Sequence, residues 1–227
     1  MFSFNPPKGF LSDKTILITG ASDGIGKCCA FNFANHGANL ILLGRSTEKL
    51  EKIYDSIHTS NPNSITIHPL DFAAASISDY KQVAESIKEQ YDRLDGLIHS
   101  AGMLGARCPI EHYPVETWEQ TFRVNIASIF LLTKFLLPSL RRSDDARILF
   151  TSSSVGRKGR GNWGAYAVSK FAGEGLMQVL AKELENTSSI KVNSLNPGGI
   201  RTNMRKAAYP AENPESVPSP EIYSSVP

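Results

Sequence analysis

In the stretch GAYAVSK, Gly164 to Lys170, a tyrosine and a lysine stand four residues apart where the pattern reads as the start of a helix. At that spacing both side chains leave one helical face. The Tyr166 phenol and the Lys170 ammonium can therefore reach a common cleft, as packing or as chemistry. A second stretch, TGASDGIG, sets Gly20, Gly24 and Gly26 where an apolar run turns sharply into a helical pattern. Missing side chains let the backbone approach a pyrophosphate, whose charge the free N–H groups of a helix N-terminus stabilise. The alternative is an ordinary tight turn with glycine for positive φ, and the flanking strand and helix favour the nucleotide. Asp23, beside such a diphosphate, is expected to point to solvent. After the next apolar run, LLGRS carries Gly44 and Arg45 where an NAD site normally has an acid for the ribose 2′-OH. Arg45 is either a solvated surface arginine or a partner for an anionic 2′-phosphate, which makes NADP(H) the expected cofactor in preference to NAD(H). Asp71, after the third run, either accepts from the adenine amino group or caps the helix that follows.

Periodicity along the chain supplies the elements these residues need. TILIT, NLILLG and SITIHPLD read as strands. GIGKCCAFNFANHG behaves as a helix closed by Gly37, and STEKLEKIYDSIHTS carries Leu50, Ile53 and Ile57 at helical spacing. A helix near Ile77 to Tyr91 leads into LDGLIHSAG, and a long helix runs from about Glu116 to Arg141. ARILFTSSS, the helix after Trp163 and IKVNSLNPGG complete a series of six strands and five main helices. Strict alternation favours parallel strands, because parallel neighbours need crossover connections, which are right-handed. The expected fold is α/β, a Rossmann-like doubly wound parallel sheet in a single domain, with ligands at the carboxyl ends of the strands.

Composition bounds the alternatives. A chain of 227 residues, 41% hydrophobic and 20% charged, is long enough for one substantial core. A formal charge of +2 and the lack of a long Lys/Arg run argue against nucleic acid as a partner. The start, MFSFNPPKGFLSDK, has no basic region followed by an apolar one, and the most apolar later run, IFLLTKFLLP, is short and broken by Lys134. No membrane is expected. Cys28, Cys29 and Cys108 are odd in number and do not suggest a disulfide framework, which fits a cytoplasmic location. The five histidines lack metal-ligand spacing, so no metal site is expected.

TGASDGIG, HSAG, RVN, TSSS, YAVSK and NPGGIRT, in that order, resemble the motif set of the short-chain dehydrogenase/reductase family, and the wording around them is similar to its YciK-type branch of bacterial oxidoreductases. The likeness extends from about Thr15 to Tyr209. It implies an NADP-dependent oxidoreductase acting on a small carbonyl or alcohol, with Tyr166 as general acid/base. Lys170 is implied as the cation that stabilises the phenolate and bonds the nicotinamide ribose, since a free phenol near pKa 10 is a poor base. Ser153 matches the substrate-orienting serine better than Ser152 or Ser154. Asn125 is implied to hold a water for proton relay to Lys170. Toward the cofactor the resemblance assigns Gly20, Ser22, Gly24, Ile25, Gly26, Arg45, Asp71, Ala101 and Gly102, with Tyr166 and Lys170. Pro197, Gly198, Ile200 and Thr202 complete that set by pinning the nicotinamide. His99 stands where the family commonly has asparagine and reads as a polar support for the strand-four turn.

Family members usually continue past NPGGIRT through a substrate-covering segment to a seventh strand, which this sequence lacks where it stops at PEIYSSVP. The expected organisation is an NADP-binding catalytic domain over 1–209 and a mobile or truncated segment over 210–227, where five prolines fall. Phe171, Leu176, Met177, Val179 and Leu180 exceed what one sheet face needs, predicting a homodimer, with a tetramer only if a further C-terminal part is present. A different functional class stays open: a non-catalytic NADP(H)-binding sensor or interaction protein on the same fold.

Overall fold

The computed structural model describes residues 6–60 and 65–223, so Ser64, at the head of the expected third strand, and the last four residues of the expected tail lie outside the described residues. The strands are β1 (Thr15–Thr19), β2 (Asn39–Gly44), β3 (Ile65–Pro69), β4 (Gly96–His99), β5 (Arg147–Thr151) and β6 (Lys191–Leu195). They form one six-stranded parallel sheet in the order β3-β2-β1-β4-β5-β6, the order of a doubly wound dinucleotide fold. Among the described residues no seventh strand follows. Every residue of β1 is buried and β2 is nearly so, which explains their unbroken apolar runs: a parallel strand covered on both faces cannot alternate.

The chain divides into two compact units, one of Met1–Leu70 with Gly199–Pro227 and one of Asp71–Gly198. In the first, β1 pairs with β2 from Thr15 opposite Asn39, and β2 with β3 from Leu40 opposite Ile65. Helix α1 (Gly24–Asn35) packs on β1 and β2, and α2 (Thr47–Ser60) buries Leu50, Ile53 and Ile57 as its spacing predicts. The described part of the segment after Tyr209 carries two 3-10 turns, Pro214–Ser216 and Pro220–Tyr223, and makes polar contacts with the rest of this unit. Arg205, on the short α7 (Asn203–Ala208), grips Glu212 through two nitrogens at 2.7 and 2.6 Å. Arg201 pairs with Glu215, and Cys28 Sγ donates to the Pro220 carbonyl at 3.1 Å.

The second unit carries β4, β5 and β6, paired from Gly96 opposite Arg147 and from Arg147 opposite Lys191. Helix α3 (Ile77–Gln90) opens with a reciprocal cap between Ser76 and Asp79 that the sequence reading did not pick out. The predicted long helix is present but not uniform: α4 (Val115–Phe122) and α5 (Ser128–Leu140) are joined by a wider, π-helical turn over Arg123–Ala127. The span Val115–Leu140 is 26 residues, long and apolar enough by length and composition to cross a membrane, where the sequence reading saw only the short run around Lys134. Here Leu132, Leu136 and Leu140 are fully buried in the fold. Helix α6 (Gly164–Leu184) packs on β6 and on a 3-10 turn at Ser154–Gly156. Leu180, counted in the surplus apolar face, is instead a core residue, whereas Val168, Phe171 and Val179 are exposed.

Candidate functional site

In the first unit the glycine turn is a cradle with no room for side chains. A Cβ on Gly26 would lie 2.4 Å from the Gly20 carbonyl oxygen, so only glycine lets α1 start this close to the end of β1. Asp23 is exposed as expected but not idle. Its backbone is extended, and one carboxylate oxygen accepts from the Gly24 N–H at 2.7 Å while the other accepts from Asn203 Nδ2 at 2.7 Å. An orphan donor of the helix N-terminus is thus already satisfied by a carboxylate, the role a bound anion would otherwise take. Thr202 caps α7 by accepting from Arg205 N–H at 3.1 Å, and its methyl lies 3.2 Å from where a Gly24 Cβ would stand. The structure therefore brings Thr202 to the glycine turn, as the assignment of both to one cofactor requires. Ile25 is half-buried and Ile200 buried.

Arg45 is exposed and, among the described residues, makes no hydrogen bond or ion pair. Gly44 has a packing reason beyond the missing acid: its Cβ would approach Ser22 Oγ to 3.2 Å and Leu50 to 3.5 Å. In the second unit, Asp71 accepts from the Ala73 N–H at 3.0 Å and so caps a turn rather than α3 itself. A carboxylate keeps further acceptor capacity for an adenine amino group. Ala101 and Gly102 follow β4 and are half-buried; Pro197 is half-buried and Gly198 exposed, its N–H donating to Asn196 Oδ1 at 3.1 Å.

The side-chain chemistry gathers in the second unit. Ser153 precedes the 3-10 turn after β5, and its hydroxyl lies on the side of the Tyr166 phenol, whose pKa it lowers. Ser152 is buried, Ser153 half-buried and Ser154 exposed. Tyr166 is buried, and burial raises its pKa above the usual phenol value, partly offset by the Ser153 hydroxyl. Lys170 lies with its ammonium 5.5 Å from the Tyr166 ring centroid and donates to the Thr151 carbonyl at 2.7 Å. Desolvation lowers its pKa to about 8. Burial thus holds the Tyr166 phenol in its proton-donating form in this arrangement. Gly156 matters here, since a Cβ would meet Lys170 Cβ at 2.8 Å; its absence lets the 3-10 turn lie directly on α6.

Asn125 sits inside the π-helical turn and is buried. Its Oδ1 accepts from the Met103 N–H at 2.7 Å, and Nδ2 donates to the Met103 carbonyl at 2.9 Å and to Ser169 Oγ at 2.9 Å. Ser169 Oγ in turn donates to the Tyr166 carbonyl at 2.8 Å. The Asn125 amide thus clips the loop after β4 to α6 between Tyr166 and Lys170. Both its N–H donors are thereby committed to protein partners. His99 is a core residue: Nε2 is 2.9 Å from Thr133 Oγ1, the ring lies 5.1 Å from Phe150, and burial drops its pKa to about 3, keeping it neutral. Sequence reasoning missed Thr151, Ser169 and Gly156 as supports of Tyr166 and Lys170. Only Ser169, a polar residue between the two inside an apolar helix, left a signal.

Comparison with known proteins agrees with the fold. The sequence profile of the family described as short chain dehydrogenase matches residues 14–213. The oxidoreductase YciK of Escherichia coli K12 is 45% identical over 217 residues, covering 96% of this chain and 85% of its own. A solved chain from Pseudomonas syringae is 46% identical with a TM-score of 0.95, covering 100% of this chain and 93% of its own. A solved chain from Escherichia coli CFT073, complexed with NADPH, is 45% identical with a TM-score of 0.91, covering 97% of this chain and 93% of its own.

Proposed function

Because the chain belongs to the short-chain dehydrogenase/reductase family of oxidoreductases, we propose that it transfers a hydride between NADP(H) and a carbonyl or alcohol, with Tyr166 as the proton donor and acceptor. The observation that carries this reading is the buried Tyr166, whose phenol burial holds protonated beside Ser153, with the Lys170 ammonium 5.5 Å from its ring. NADPH, when bound, supplies the hydride. The chain's own residues supply the rest. Ser153 holds the reacting oxygen, Tyr166 gives it a proton during reduction, and Lys170 keeps a positive charge beside the phenol as negative charge develops there. Asn125 and Ser169 fix the register of α6, so that Tyr166 and Lys170 keep their orientation through turnover.

The cofactor fits this chain on two features. The Gly20–Gly26 turn has space only for backbone, and Arg45 offers an exposed guanidinium to a 2′-phosphate. Solved relatives complexed with NADP or NADPH support the same choice. Turnover of a panel of small carbonyls with NADPH tests the reaction, and consumption of NADPH that Tyr166→Phe leaves unchanged would refute the assignment.

A homodimer is part of the proposal, since Phe130 on α5 and Val168, Phe171 and Val179 on α6 are exposed apolar side chains of one unit. An isologous contact between two copies would bury them. Light scattering at micromolar concentration should give twice the chain mass; a monomer there would end this part of the reading. A cytoplasmic location is supported by the three free cysteines.

A further inference from the structure

Tyr113 is half-buried and has no part in the reaction, yet its ring stands between two places where the chain carries no side chain. The loop after β4 reaches it through Gly105 and Ala106. The Ala106 N–H donates to the Tyr113 hydroxyl at 3.0 Å, and a Cβ on Gly105 would run into that same oxygen. Helix α6 reaches it through its first residue. Beyond its own stretch of chain, the three atoms nearest a Cβ on Gly164 would be ring carbons of Tyr113, Cε2, Cδ2 and Cζ, the first two in collision with it. Both glycines also hold positive φ, 67° at Gly105 and 32° at Gly164, so backbone and space alike exclude a larger residue. The ring is itself braced, meeting Trp118 of α4 edge to face with centroids 5.8 Å apart.

Gly164 and Tyr166 share the first turn of α6, which the Ala167 N–H closes by donating to the Trp163 carbonyl at 3.1 Å. A shift of Gly164 therefore carries Tyr166 with it. Asn125 fastens the same loop to the same helix at another point, bonding Met103 on one side and Ser169 on the other. The loop from Met103 to Ala106 is thus held at both ends: by an amide that reaches α6 after Tyr166, and by a ring that meets α6 before it.

We propose that Tyr113 is a positioning residue for the proton donor: its ring sets the gap between the loop after β4 and the start of α6, and with it the place of the Tyr166 phenol. This deepens the oxidoreductase reading and rests on it for the kinetic consequence.

A double-mutant cycle on kcat tests it. Gly164→Ala drives a methyl into the ring and should lower kcat by roughly tenfold to a hundredfold, as a displaced reacting group does, with KM and the NADPH dissociation constant nearly unchanged. In a Tyr113→Ala background the ring no longer stands in the way, and the same change should cost at least about threefold less; the strain of alanine at positive φ is common to both backgrounds and cancels. Tyr113→Ala alone should lower kcat by about tenfold, and Tyr113→Phe, which keeps the ring and gives up only the bond from Ala106, should recover most of that. Gly175→Ala, at an exposed position of the same helix with no atom within 4 Å of the new Cβ, should change nothing. A Gly164→Ala protein as active as Gly175→Ala would overturn the proposal, as would equal losses in the two backgrounds, or losses shared evenly by kcat, KM and NADPH affinity. Should Gly164→Ala not fold, native kcat in Tyr113→Ala overturns the proposal and a loss that Tyr113→Phe recovers supports it. Hydrogen exchange across residues 164–170, measured without NADPH or substrate, separates failure of the underlying reading. If the native protein reduces no carbonyl, yet exchange there rises in Gly164→Ala and falls back in the double variant, the reductase is lost and the positioning contact stands; an equal rise in both backgrounds removes the contact too.

Discussion

The two units solve their parts of the problem with different materials. In the first, the candidate cofactor site is mostly backbone: a turn that excludes a side chain at Gly26 and a capped helix end, with one exposed arginine as the charged contact. In the second, the candidate chemical site is built from side chains: Asn125, Ser169 and Tyr166 are buried and linked by hydrogen bonds, with the half-buried Ser153 beside the Tyr166 phenol. A backbone cradle recognises what all dinucleotides share and leaves discrimination to one charge. A side-chain network fixes the position of a single proton, and its members act as a unit.

This contrast predicts which changes separate binding from chemistry. The largest effect should come from Tyr166→Phe, which removes one proton donor but keeps the ring: kcat should fall by roughly a hundred- to ten-thousandfold, with the NADPH dissociation constant nearly unchanged. Equal losses in both would mean that the two functions are not divided as described. Next in size, Arg45→Ala should weaken NADPH by roughly ten- to hundredfold and leave NADH nearly untouched, with the gap narrowing at high salt. Nicotinamide fluorescence titration measures it, and equal affinity of the native protein for NADPH and NADH would reduce Arg45 to a solvated surface residue. Gly44→Asp is a less clean companion, because its new side chain crowds Ser22 as well as opposing the phosphate.

A smaller effect concerns pH. Lys170 holds its charge below about 8 and loses it as pH rises through that value, whereas the Tyr166 phenol stays protonated beyond the usual phenol range. Reductive kcat/KM for NADPH should therefore decline above about pH 8, approaching a tenfold loss per pH unit, through loss of the cation and not of the proton donor. Lys170→Arg, whose charge does not titrate there, should flatten that limb; a decline that persists in the variant would assign it to another group.

What was legible in the sequence follows the same division. Strands and helices could be read because buried parallel strands are continuous apolar runs, as TILIT and NLILLG are, and the glycine turn because close backbone approach demands glycine at fixed spacing. Tyr166 and Lys170 announced themselves through a helical period. Illegible were the contacts that join residues far apart in the chain: Asn125 to Met103 and Ser169, Lys170 to the Thr151 carbonyl, Asp23 to Asn203. Periodicity carries no record of such pairs. Nor does the motif YAVSK reveal that burial raises the pKa of the Tyr166 phenol.

Transfer of isotope tests the central claim most directly. The native protein is incubated with NADPH deuterated at the transferring position of the nicotinamide and with a carbonyl that it consumes, and the alcohol is examined by mass spectrometry. Deuterium on the former carbonyl carbon in the native reaction, with no alcohol formed by Tyr166→Phe, is the predicted result. An alcohol without deuterium, or labelled alcohol formed equally fast by Tyr166→Phe, would contradict it.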